Sequence, residues 1–83
     1  MNAQQAVADK IKRLIKQNKL TVNRLANLSG VSASALNNTI SLKYGAVKGI
    51  GIVKIQRICQ ACDITLADFF ADPIFTQLEQ EDG

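Results

Sequence analysis

A single glycine, Gly30, divides the run TVNRLANLSGVSASALNNTI (residues 21–40) into two short segments, each opened by a hydroxyl side chain, Thr21 and Ser32. A hydroxyl there accepts a hydrogen bond from an unsatisfied backbone N–H at a helix start, and glycine adopts the left-handed conformation that ends a helix. The pattern predicts helices over 22–29 and from Ala33 to about Ile40, joined by a turn of about three residues. Two helices that cross so soon need a small residue at the crossing, and Ala26 supplies it four residues before Gly30. Leu25, Val31 and Leu36 are expected to fill the angle, with Ala26 and Leu28 completing the inward face of the earlier helix and Ile40 that of the later one.

The rest of the chain carries similar punctuation. Val7, Ile11, Leu14 and Ile15 recur at helical spacing between Ala3 and about Asn18, while Lys10, Lys12, Arg13 and Lys16 take the other face. Asn2 with Gln5 forms an expected cap for this helix, and Asn18-Lys19 its break. Residues 41–51, SLKYGAVKGIG, have three glycines and no period and read as a loop. Ile52, Ile55, Ile58, Cys59 and Cys62 predict a fourth helix buried on that side, with Asp63 as its left-handed end. Thr65 and Asp68 cap a short fifth helix holding Leu66, Phe69 and Phe70, which Asp72-Pro73 ends. The expected fold is therefore all-α, five short helices around one aliphatic core.

Length limits this to one domain, because 83 residues remove only about 60% of the unfolded surface from water. We expect residues 1–71 to form that domain and 72–83 an acidic tail. No histidine is present and only two cysteines, which removes most nucleophile–base triads and zinc sites. With no glycine-rich phosphate cradle either, the chain is not expected to be an enzyme, and no cofactor is implied. The apolar stretches are too short to span a bilayer, so a soluble, cytoplasmic protein without a membrane partner is expected.

The net charge of +3 conceals a division. Residues 1–57 hold ten Lys and Arg against Asp9 alone, a balance of +9, whereas residues 58–83 hold six carboxylates and no base, a balance of −6. A basic body suggests a polyanionic partner. Taken by itself, the charge is also what solvated helix faces carry.

At residues 21–40 the chain resembles the Cro and phage-repressor type of helix-turn-helix, also called the Xre family. The resemblance continues through VKIQRICQACDITLADFF, which is similar to that family's fourth and fifth helices, and it covers roughly Ala6 to Phe70. It implies a compact five-helix, lambda-repressor-like domain whose third helix enters the major groove of double-stranded DNA. The matching positions for base contact are Ser32, Ala33, Ser34, Asn37 and Asn38. Helix geometry also places Ala33, Ser34, Asn37, Asn38 and Ser41 on one uncharged outward stripe. An Asn amide suits adenine N6 and N7, Ser serves several bases, and the Ala33 methyl suits a thymine methyl. The ordinary alternative for both asparagines is a solvated surface.

Asn23, Lys43, Tyr44 and Lys48 are the candidates for phosphate contact, at the start of the second helix and in the loop after the third, followed by Lys19 and Arg24. Three positions depart from the family pattern. Val22 replaces a common Gln, Thr39 replaces an apolar residue, and a glycine-rich run replaces the usual Asn-Pro before the fourth helix.

Cys59 and Cys62 form a C-x-x-C with no second pair, and core packing is the expected role, with a redox switch as the alternative. Ile74, Phe75 and Leu78 are candidates either for a dimer contact or for covering the monomer's own core. The expected function is a sequence-specific transcriptional regulator, a repressor, binding a palindromic operator as a homodimer. The competing expectation is a protein-interaction module on the same fold, an antitoxin against a toxin or an antirepressor-type antagonist of another regulator. RNA binding is disfavoured, since Tyr44 is the only aromatic residue of the basic half available for base stacking.

Overall fold

Four of the described helices, α1, α2, α3 and α5, begin on side chains that cap them. In a computed structural model, which describes residues 2–41 and 50–78, α1 spans Ala3–Gln17, α2 Val22–Ser29, α3 Ala33–Ser41, α4 Ile52–Ala61 and α5 Leu66–Phe70, followed by a 3-10 turn over Pro73–Thr76. Asn2 and Gln5 form a reciprocal capping box on α1, with both bonds at 2.9 Å. Thr21 caps α2 through the Arg24 N–H, Ser32 caps α3 through the Ala35 N–H at 3.1 Å, and Thr65 and Asp68 form a second capping box on α5.

The helix ends are equally specific. Gly30 ends α2 with φ +74°. The α1 and α4 ends use non-glycine residues in the same conformation, Lys19 at φ 54° and Asp63 at φ 58°. In both, the next residue's N–H reaches back to the helix, from Leu20 to the Ile15 carbonyl at 2.9 Å and from Ile64 to the Cys59 carbonyl at 3.0 Å. These are Schellman closures, which satisfy carbonyls that the helix itself leaves unpaired.

One core joins all five helices. Ile11 and Leu14 of α1 meet Leu25, Val31 and Leu36 from the α2–α3 unit, then Ile55, Ile58 and Cys59 of α4, Cys62 and Phe69. Helix α1 packs on α3, and α2 packs on both α3 and α4. Ile40 lies against this core half-buried, and so does Phe75. Thr39 fits its half-buried position because its Oγ1 donates to the Ala35 carbonyl at 2.9 Å.

Two expected core residues, Leu28 and Ile52, are exposed instead, and so is Phe70 of the fifth helix. Leu28 is 47% exposed, because the inward arc of α2 runs through Leu25, Ser29, Val22 and Ala26 and leaves Leu28 outside it. Ser29 takes that place at no polar cost: its Oγ donates to the Leu25 carbonyl at 2.7 Å and accepts from the Val31 N–H at 3.2 Å. Ile52 is 56% exposed at the first position of α4, beside exposed Gly51, Val53 and Lys54. Phe70 points partly to solvent, and its ring meets those of Phe69 and Phe75 edge to face, with centroids 4.9 and 5.0 Å apart. Conversely, Ala6 and Ala8 of α1 are buried, which the periodicity of its larger residues did not indicate.

Candidate nucleic-acid interface

The α2–α3 unit is held on its inner side by Leu25, Val31 and Leu36, each 3% exposed or less, so its outer side is presented on a fixed frame. With Leu36 directed at the core, successive residues of α3 rotate by about 100°. Ser34 and Asn38 then lie nearest the pole opposite Leu36, with Ser41 and Asn37 on the flank that leads round to Ala33. Ser34, Asn37, Asn38 and Ser41 are exposed and Ala33 is half-buried. A shallow concavity separates the two helices, lined by Asn23, Ala26 and Asn27 of α2, by Gly30, Val31 and Ser32 of the turn, and by Ala33.

Hydrogen bonding divides these polar groups. The Ser32 hydroxyl oxygen is engaged as the α3 cap, and the Ser41 hydroxyl donates to the Asn37 carbonyl at 2.7 Å. Among the described residues, the side chains of Asn23, Asn27, Ser34, Asn37 and Asn38 make no hydrogen bond to the protein. The described residues leave their donors and acceptors unused. The structure thus brings Ser32, Ala33 and Asn23 to one concavity and leaves Ser34, Asn37 and Asn38 on the exposed surface of α3. Lys43, Tyr44 and Lys48 lie outside the described residues. Asn27 was not singled out from sequence, although its spacing of four from Asn23 on an amphipathic helix was the signal that places it on the same face.

The surrounding charge is one-sided. No carboxylate occurs from residue 10 to residue 62, and Arg24 is the only formal charge from residue 20 to residue 41. Exposed Lys12, Lys16 and Lys19 on and after α1, and Lys54 and Arg57 on α4, supply further cations. Among the described residues, Lys10 and Arg13 are engaged in ion pairs. Asp72 accepts from Lys10 Nζ and Arg13 Nη1, each at 3.3 Å, so part of the acidic end is bound to the basic helix rather than facing away from the basic body. The backbone N–H of Ile74 is the main cause that holds the Asp72 carboxyl below its usual range, and Lys10 and Arg13 add to it.

The cysteines belong to the interior. Cys59 and Cys62 are free thiols, 1% and 8% exposed, and burial pushes both up from the ordinary thiol value. Among the described residues no group of three His, Cys, Asp or Glu is placed to hold a metal ion, and no helix is long and apolar enough to cross a membrane.

Comparison with known proteins agrees with this geometry. The chain is similar to the crystal structure of the prophage Lp1 protein 11, with a TM-score of 0.76 and 30% identity over 94% of this chain and 100% of that one. No curated protein matches. Residues 10–73 match the model of the Cro/C1-type HTH DNA-binding domain, a stretch that runs from the middle of α1 through Pro73 and includes the whole α2–α3 unit. The chain belongs to the Cro/C1-type helix-turn-helix DNA-binding family.

Proposed function

We propose that the chain is a sequence-specific transcriptional repressor that lays the N-terminal part of α3 in the major groove of a palindromic operator. The observation that carries this reading is the outward sector of α3, where Ser34, Asn37 and Asn38 are exposed with their hydrogen-bonding groups unused among the described residues. Fixed neutral donor–acceptor groups suit base edges, and cations around them suit phosphates. Ser32 and Ala33 stand at the entrance of the helix and complete the base-reading set. Asn23, Lys43, Tyr44 and Lys48 take phosphates on either side.

A homodimer places two such helices about one turn of DNA apart, which a palindrome requires. Phe75 packs against the chain's own core, so the dimer contact falls to Ile74 and Leu78, with Phe70 beside Phe75; Leu78 and Phe70 are 38% and 40% exposed. In this reading residues 1–71 are the DNA-binding domain, and the segment from Asp72 onward closes it and offers the contact. Selection from a random duplex pool tests the reading: a recovered palindrome, bound by a particle of twice the chain mass and silencing a promoter that contains it, is expected. A pool without a common sequence, together with a stable complex with the small protein of a neighbouring gene, would favour the antitoxin reading instead.

A further inference from the structure

The cations of the basic body all lie outside α3. From Ala33 to Ser41 the helix carries no Lys, Arg, Asp or Glu, and the concavity beside it is lined by asparagines, small residues and Val31. Guanine presents two acceptors, N7 and O6, in the major groove, and the side chain that fits both is a long cation, usually Arg. Among the described residues, this face has no such group. Adenine presents an acceptor and a donor, N7 and N6–H2, and one carboxamide meets both at once. Asn37 holds the exposed carboxamide on the flank of α3 toward the concavity, about 40° round the helix from Ala33. Its backbone is fixed by its place in α3 and its carbonyl already accepts from Ser41 Oγ, while its side chain has no partner among the described residues. Ser34 lies one turn before it, and the half-buried Ala33 methyl, four residues before it, borders the concavity.

We infer that each half-site is read at an A·T pair, with the Asn37 amide donating to adenine N7 and accepting from adenine N6–H2, and that no guanine is read in bidentate fashion by α3. This rests on the operator reading above and specifies the base that the same helix recognises. The neighbouring neutral positions leave thymine methyl contact, from Ala33, as the way an adjacent pair is recognised. Affinity then comes from phosphates at the edges, and the Asn37 amide supplies the discrimination for adenine in each subunit.

The test uses the full chain and the site recovered from a random duplex pool. Each enriched adenine is replaced in turn by 7-deazaadenine, which removes the N7 acceptor and leaves pairing intact. We expect one symmetric adenine per half-site at which this weakens binding about tenfold, the loss of a well-placed contact. Asn37→Ala, at an exposed helix position that alanine favours, should bind the unmodified site more weakly and show no further loss with 7-deazaadenine. A shared site built on guanine and sensitive to 7-deazaguanine would overturn the adenine assignment while leaving the regulator reading intact. Sensitivity to 7-deazaadenine that persists in Asn37→Ala would overturn the role of Asn37. A pool that returns no common sequence would overturn both readings.

Discussion

Lys10 Nζ and Asp72 Oδ2 lie 3.3 Å apart although 62 residues separate them in the chain. Arg13 joins the same carboxylate one turn along α1, and Asp72 also accepts from the Ile74 N–H at 3.0 Å to start the 3-10 turn. One carboxylate thus ties the end of the described chain to its first helix and sets Phe75 over the core.

This tie is expected to be acid-labile. The Asp72 carboxyl is held below its usual value, so its ionised form favours the folded state. That contribution is complete above the ordinary carboxylate pKa of about 4 and is lost as pH falls through the lowered native value. Asp68, held down chiefly by the backbone N–H of Thr65, acts in the same direction. Asp72→Asn keeps an acceptor for Ile74 but loses the charge. Thermal unfolding at pH 7 should show a lower midpoint for the variant, and the difference should shrink as the pH falls below about 4.

The two thiols should behave in the opposite sense. Burial raises both, so each favours the folded state while protonated, and the contribution is lost as pH rises from the ordinary thiol value through the raised one. Native protein should react with a thiol reagent at pH 7.5 only at the rate at which it opens, and both cysteines should react together once urea unfolds it. Rapid labelling of either in the native state would contradict their place in the core.

Gly30 is required by its backbone and not by crowding. A Cβ added there meets no atom within 4 Å, yet φ is +74°, where an L side chain costs about 1–2 kcal/mol. Gly30→Ala should destabilise by about that amount in urea unfolding, and Gly30→Asn by less, since Asn tolerates this conformation. Asp63 and Lys19 already adopt it, so Asp63→Gly should change stability by less than about 1 kcal/mol, strain relief being offset by the greater unfolded-state freedom of glycine.

Core and surface leucines should separate cleanly. Leu36→Ala removes a side chain that is 0% exposed and should cost about 2–5 kcal/mol, whereas Leu28→Ala, at a position 47% exposed, should lie within about 0.5 kcal/mol of the parent. Equal losses at the two sites would mean that Leu28 is covered in solution, and sedimentation would then show association.

Phosphate and base contacts should differ in their salt dependence. Lys43→Ala is expected to weaken binding to selected and random duplexes alike and to reduce the slope of log K against log salt by about 0.9. Asn37→Ala should reduce only the selected affinity and leave the slope unchanged. Titration of both variants at several salt concentrations distinguishes the two roles.

Much of this fold could be read locally, because caps and stops act over three to six residues. Asn2, Thr21, Ser32 and Thr65 begin helices, and Asn18-Lys19, Gly30 and Asp63 end them, as their side chains and backbone preferences require. The spacing of Ala26, Gly30, Val31 and Leu36 likewise determined the helix-turn-helix and hence the family. Tertiary structure alone decided what depends on which surfaces meet. It put Ser29 inside and Leu28 outside, and it left Ile52 exposed at the end of α4 despite an apolar phase shared with Ile55. It assigned Phe75 to the monomer core and bound Asp72 across the chain to Lys10 and Arg13. Periodicity gives the direction of a side chain around its own helix, but burial requires a partner surface at that depth, and an ion pair across 62 residues requires the whole fold to form it.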